Sequence, residues 1–384
     1  MLIGLMADGH KNTLAVQHIV AKFKELGVGV ILYAGDLDRE HLDAKLFGGI
    51  PVIVALVDGQ EEDAAFEENC PTGWRYTRHD QRVVKVKIGE NQYLLIYLGH
   101  KRNTDFMYKT EAEFTASLNE LRKNFDGLRI VLGGHLHFRT FKQGPLVSFI
   151  NPGAAQGSIY GGGFQYAIYD TETGRLTFSS ISATTDTRKP FRLAVISDSG
   201  CISYKDPGFW ARLVTELERD KVTRIIHCGN LALTDIGRPE LEKFVVHYAI
   251  REDQWSDHRD LREGGKIPSN WKAITEDNLT EGAIVDVPSE DYVYRVYVQL
   301  DLGLKLNSQS EYGMTELATE ICRKYPKTEL VLCGFNPEAL LVEGPKFHLV
   351  NPGLIETEGR IAEFEFPSRE VTFAVVPAVP LPPL

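Results

Sequence analysis

Seven side chains in the first 140 residues could bind a metal ion or move a proton: Asp8, His10, Asp36, Gln60, His100, His135 and His137. The two last stand in Val131-Leu132-Gly133-Gly134-His135-Leu136-His137, an apolar run that ends in two glycines and two histidines. In an extended chain, side chains two apart share a face, so His135 and His137 could reach one point, and Asp8 and His10 repeat that spacing. Imidazole is the commonest neutral metal ligand, and the glycines would let backbone or ligand approach closely. Each piece also has a plain explanation. Paired histidines can sit on a surface, a strand-end Asp such as Asp8 or Asp36 can cap the next helix, and Gln60 alone is an ordinary turn residue. Four such strand ends in one chain order point instead to a metal centre. Mixed carboxylate and imidazole ligands suit Mn, Fe, Zn or Ni better than Ca. One carboxylate can bridge two cations about 3.5–4 Å apart, and such a pair can activate water for in-line attack on phosphorus.

The elements that must position these residues follow from the apolar pattern. Leu2 to Ala7 is a buried-type strand opening into Asp8-Gly9-His10, and Thr13 to Leu26 has helical spacing stopped by Gly27. Val28 to Ala34 and Pro51 to Val57 are further strands, ending in Gly35-Asp36 and Asp58-Gly59-Gln60. This β-α-β-β order predicts an α/β fold with a mostly parallel sheet and a site beyond the carboxyl ends of the strands. Arg82 to Ile88, Tyr93 to Leu98, Arg129 to Leu132, Leu146 to Ile150, Gln165 to Asp170 and Arg175 to Ser179 continue as strands, with a helix over Glu111 to Phe125. Asn151-Pro152-Gly153 reads as a turn capping its strand.

The order DxH, GD, a Gly-plus-amide strand end, GH, GHxH and NPG resembles the calcineurin-like metallophosphoesterases, above all the YfcE-like phosphodiesterases and the retromer subunit of the same fold. The resemblance covers roughly residues 1–180. It implies an αββα sandwich and a dinuclear metal centre that hydrolyses phosphoester bonds. Asp8, His10, Asp36 and His137 would hold the first ion, with Asp36 bridging, while His135 and Gln60 would serve the second. Three positions depart from the family pattern. Gln60 stands for an Asn ligand, Glu61 stands for an acid histidine, and Leu98-Gly99-His100 places the imidazole two residues beyond the expected one. Leu98 cannot ligate; His100 could substitute for the missing ligand or, with His135, stabilise charge in the reaction.

The second half repeats the first. Asp198 lies 190 residues beyond Asp8, Asn230 lies 194 beyond Asp36, and Asn351-Pro352-Gly353 lies 200 beyond Asn151-Pro152-Gly153. A recurrence of this kind predicts a duplicated fold, with domains at 1–185 and 190–375 and a Pro-rich tail at 376–384. The chemistry is not repeated: Gly200, Asn230, Phe335 and Pro337 stand where His10, Asp36, His135 and His137 would be. Cys201, Cys228 and Cys333 gather at strand ends near Asp198 and could form a thiolate site, although cysteine is commonly just a small buried residue. Residues 256–291 read as a long surface excursion.

Composition narrows the partners. A net charge of −11 argues against a broad nucleic-acid face or an anionic membrane surface, but a bound cation would still admit a small phosphate ester. No apolar run approaches the roughly 20 residues that span a membrane. Five irregularly spaced cysteines and an opening without a basic segment predict a cytoplasmic, reduced protein. The expectation is a metal-dependent phosphoester hydrolase using one or two divalent ions. The competing expectation is a weakly active or inactive scaffold that meets a protein partner through its degenerate domain.

Overall fold

Leu2–Met6 is apolar and almost entirely buried, and in the computed structural model it is the strand (β1) around which the first sheet is built. The structure describes all residues except 39–40, 57–69, 78–81, 101–109, 145, 161–162, 183–185, 201, 251–253, 275–281, 300–301, 303–310, 335–337, 345, 356–358 and 378–384. The chain divides into two compact units. The first comprises Met1–Thr185 with Ser308–Leu317 and Leu341–Pro345; the second comprises Asp186–Asn307, Ala318–Leu340 and Lys346–Leu384.

In the first unit β1 pairs in parallel with β2 (Val30–Tyr33), β2 with β3 (Val52–Ala55), and β3 with β4 (Arg75–Thr77). A second sheet holds β5 (Val83–Lys87), β6 (Tyr93–Leu98), β7 (Leu128–Leu132), β8 (Arg139–Gln143) and β9 (Ser148–Pro152), with β6, β7 and β9 parallel. The chain then returns to the first sheet as β10 (Phe164–Asp170), antiparallel to β1, and β11 (Leu176–Ile181). Two helices follow the sequence reading. Helix α1 (Thr13–Leu26) is capped by the Asn12 side chain and ended by Gly27 at φ 74°. Helix α2 (Glu111–Asn124) opens with a Thr110–Glu113 capping box.

Helix α1 buries Val16, Ile19, Val20 and Phe23 against Ile31, Tyr33 and Val52 of the first sheet. The approach is so close that a Cβ on Gly4 would lie 2.7 Å from the Phe23 ring. Leu5, Leu32 and Ile53 alternate to the opposite face and are buried as well. Helix α2 covers the second sheet in the same way, through Phe114 and Leu118 against Val131 and Phe149. The mixed α/β architecture with two large sheets is thus the one expected.

Details differ from the sequence reading. Short strands β4 and β8 were not anticipated. Asn151 and Pro152 lie within β9 rather than in a capping turn, because Pro152 sits at its end opposite Arg139.

The second unit repeats this pairing scheme. Strand β12 (Phe191–Ile196) pairs in parallel with β13 (Arg224–His227), β13 with β14 (Val245–Tyr248), and β14 with β15 (Trp271–Ala273). In its other sheet β16 (Ala283–Pro288), β17 (Val293–Gln299), β18 (Thr328–Cys333) and β20 (His348–Asn351) correspond to β5, β6, β7 and β9. The same register irregularity falls between Leu95 and Ile96 and between Arg295 and Val296. The intervening strand, β19 (Leu340–Glu343), neighbours β8, and its residues from Leu341 onward cluster with the first unit. Strands β21 (Arg360–Phe366) and β22 (Glu370–Val375) then pair as β10 and β11 do.

The described residues of 256–291 therefore form regular elements rather than one long surface excursion. They carry most of a helix, Trp255–Glu263, and two sheet strands, β15 and β16, because Trp271, Val285 and Val287 have buried positions to fill.

Trp210 has no exposed surface, lies in the core formed with Leu213, Ile225, Val246 and Tyr248, and donates to Ser203 Oγ at 2.8 Å. Trp210→Ala is expected to cost about 3–5 kcal/mol, read from urea unfolding of the full chain; a change below about 1 kcal/mol would contradict this packing. Among the described residues no helix is long and apolar enough to cross a membrane.

Candidate metal centre

The first unit brings six of the seven predicted residues to the carboxyl ends of four strands. Asp8 and His10 follow β1, Asp36 follows β2, His100 follows β6, and His135 and His137 follow β7. Gln60 lies outside the described residues. Asp8, His10, Asp36 and His137 offer ligand atoms that all lie within 4.8 Å of one another, and so do Asp36, His100 and His135.

The route to this convergence is not the extended chain that the spacing suggested. Asp8 (φ 53°), His10 (φ 42°), Asp36 (φ 54°), His135 (φ 76°) and His137 (φ 57°) are all left-handed. That conformation costs of order 1–3 kcal/mol per non-glycine residue unless its surroundings hold it. Here they do: Asp8 N–H donates to Gly35 O and His10 N–H to Asp36 O, while His135 N–H donates to the Asp8 carboxylate at 2.8 and 2.9 Å. The turns also separate the two histidines of the HxH pair, one going to each group.

In the first group His10 Nε2 lies 3.2 Å from His137 Nε2 and 3.5 Å from Asp36 Oδ2, and His137 Nε2 lies 3.8 Å from Asp8 Oδ1. Two imidazole nitrogens and two carboxylates facing one small space form the mixed donor set of a divalent transition ion, so these residues fit a metal.

His100 has a second character. Its Nε2 lies 3.0 Å from Asp8 Oδ1 and 3.3 Å from Asp36 Oδ2, and its ring packs edge-on to His135. Burial opposes its charge, but hydrogen bonds to Asp36 and Asp8 more than offset this and push its pKa up to about 9. Burial likewise acts to raise the Asp36 pKa and is outweighed by the His100 hydrogen bond, leaving it below the usual carboxylate value. Burial lowers the pKa of both His135 and His137, which favours their neutral, ligating form. Leu98 is fully buried at the end of β6, as a residue without ligand chemistry would be.

Glycines make room for this cluster. A Cβ on Gly134 would stand 2.1 Å from the Ala34 carbonyl oxygen and 2.9 Å from His100 Cδ2. Gly134→Ala is therefore expected to displace the His135 turn and weaken Mn²⁺ binding by about 10–100-fold, the range for losing what orients a metal ligand. Calorimetric titration with Mn²⁺ measures it, and an unchanged affinity would contradict the crowding.

Two neighbours escaped the sequence reading. Asn12 Nδ2 donates to Gln156 O at 3.2 Å, and the Gln156 amide nitrogen lies 3.3 Å from His137 Nδ1. Only the place of Gln156 just after Asn151-Pro152-Gly153 hinted at it.

The second unit has similar bends with different side chains among its described residues. Asp198 (φ 55°) and Asn230 (φ 50°) copy Asp8 and Asp36, with Asp198 N–H donating to Gly229 O and Gly200 N–H to Asn230 O. Yet Ser197 Oγ donates to Asp198. His227 accepts from Gly229 N–H at Nδ1, so its Nε2 carries the proton toward Ser199 Oγ, 2.9 Å away. That leaves Ser199 without a base there.

Cys228 and Cys333 are fully buried, and burial raises both thiol pKa values. That burial favours the protonated thiol over the thiolate a metal site would need. Cys201, Phe335 and Pro337 lie outside the described residues. Among the described residues, both groups of three or more clustered ligands fall in the first unit.

Residues 1–174 match the family model described as calcineurin-like phosphoesterase superfamily domain. Residues 1–174 are thus similar to a calcineurin-like phosphoesterase domain. Solved structures similar to this chain include a novel archaeal phosphodiesterase, 20% identical over 47% of this chain and 100% of that one, with a TM-score of 0.37. The phosphoesterase YfcE of E. coli is 15% identical over 47% and 93% of the two chains, with a TM-score of 0.31. Zinc-complexed Vps29 of Entamoeba histolytica is 17% identical over 47% and 91%, with a TM-score of 0.31. No curated protein matches the chain. Divalent metal use follows from the phosphoesterase domain together with its Asp8, His10, Asp36 and His137 cluster.

Proposed function

We propose that the phosphoesterase domain, residues 1–185, hydrolyses a small phosphodiester or phosphomonoester. In this reading residues 190–375 are a copy of the same fold without its metal ligands. The observation that carries the reading is the set of four ligand atoms, from Asp8, His10, Asp36 and His137, within 4.8 Å of one another.

Asp8, His10, Asp36 and His137 would hold the first ion, and Asp36 and His135, with His100 only if it gave up its proton, would face a second. A bound divalent ion would supply Lewis acidity toward a phosphoryl oxygen and toward water. The chain supplies the rest. His135 is exposed, and partial desolvation of its ring with the nearby His100 charge lowers its pKa, so its neutral form can take up and return a proton. The amino terminus of α1 begins three residues after His10, and its free N–H groups favour a bound anion. His100 neutralises the buried Asp8 and half-buried Asp36 carboxylates and holds them in place.

One observation favours the scaffold reading: Leu98, where the resemblance expects a ligand, is buried and apolar. Metal analysis of the purified chain, followed by assays on bis- and mono-p-nitrophenyl phosphate with added Mn²⁺, separates the two. The hydrolase reading expects bound metal and turnover. Absence of both would leave the scaffold, with the degenerate copy as the surface offered to a protein partner.

A further inference from the structure

Glu343 ends β19, clusters with the first unit, and is almost wholly buried. A carboxylate in such a place needs donors, and Arg139, 204 residues earlier, gives it two. The Arg139 backbone N–H donates to Oε2 at 2.9 Å and its Nη2 to Oε1 at 3.2 Å. Gln165 Nε2 donates to both oxygens, at 2.9 and 2.7 Å, and Ser158 Oγ lies 3.5 Å from Oε2.

These donors all lead to the metal centre. Arg139 is two residues beyond His137. Gln165 accepts the Ala154 N–H at its Oε1, and in the loop that follows, Gln156 N–H donates to Asp8 O and Ile159 N–H to His137 O. The Gln156 side chain faces His137 Nδ1. One carboxylate thus grips both the chain leaving His137 and the loop 154–159 that touches His137 and Asp8.

We propose that Glu343 is a positioning residue for the metal centre, holding His137 and this loop where the four ligands converge. The proposal rests on the metal reading above. The repeated scaffold does not require the pair: Gln143 occupies the position 200 residues before Glu343, and Ala339 the position 200 residues after Arg139. A buried ion pair is also a weak source of stability compared with apolar packing, whereas outer partners of metal ligands commonly set ligand orientation.

The test is Mn²⁺ binding to the full chain, by calorimetry and by the Mn²⁺ paramagnetic resonance spectrum. Glu343→Gln keeps the size and removes the charge. It is expected to bind about 10–100-fold more weakly, with an altered spectrum and an unchanged circular dichroism. Gln165→Leu spares the Arg139–Glu343 pair and frees the Ala154 N–H; it is expected to lose about tenfold and decides the matter if Glu343→Gln does not fold. Folded variants with lower melting temperatures but wild-type affinity and spectrum would overturn the positioning role alone. A wild-type chain that binds no Mn²⁺ would overturn the metal reading, and this proposal with it.

Discussion

Asp36→Asn is expected to remove turnover and weaken Mn²⁺ binding by more than about 10²-fold. Outer partners of metal ligands already cost 10–100-fold when changed, and Asp36 does more than an outer partner. It belongs to both groups of candidate ligands, and its Oδ2 lies 3.5 Å from His10 Nε2 and 3.3 Å from His100 Nε2. The amide is nearly the same size but neutral, so it would leave His100 facing one carboxylate instead of two. The second unit provides a natural precedent, since Asn230 takes the same left-handed bend at the equivalent position. The fold should therefore tolerate Asn, and the loss should be one of chemistry. Metal content, calorimetry and p-nitrophenyl phosphate assays check it. A folded Asp36→Asn chain that retains metal and activity would refute the assignment of this centre.

Acidification is expected to destabilise the second unit well above the pH at which carboxylates titrate. His227 is 1% exposed, and burial depresses its pKa to about 3. His247 is 8% exposed, and burial, with the nearby Lys272 and Arg224 charges, depresses its pKa to about 4. The unfolded chain would protonate both near 6.5. The folded form binds fewer protons below that value, so their contribution is complete above about pH 6.5, falls as the pH drops toward the folded values, and is flat below them. Each histidine removes about 1.4 kcal/mol per pH unit in this window, so the pair removes on the order of 5 kcal/mol by pH 4.5. A typical domain has only about 5–15 kcal/mol in all. Urea unfolding followed by tryptophan fluorescence between pH 7.5 and 4.5 measures the slope, and His227→Gln should roughly halve it. A stability that stays level down to pH 5 would show that these rings are not held neutral.

Much of the molecule was legible from local pattern. Apolar runs broken by Asp or Gly marked most strands, because burial and turn chemistry act over a few residues. Gly27 closed α1 through a cap that lies next to it in sequence. The register of the two halves was visible for the same reason, and the matching irregularities at Leu95/Ile96 and Arg295/Val296 repeat it in the pairing.

Other features were settled only by packing at long range. The HxH and DxH pairs meet through left-handed turns, which residues of these types adopt because Gly35, Asp36 and the Asp8 carboxylate hold their N–H groups. His100 reaches Asp8 and Asp36 because Gly35 and Gly134 leave space for its ring. Glu343 meets Arg139 across 204 residues. The amino-acid sequence by itself determined which side chains have ligand chemistry and which half is rich in them at its strand ends, since composition and spacing are local properties. Which of those side chains share one space was decided by the tertiary structure, because only a folded backbone can hold strained turns and buried charges against their cost.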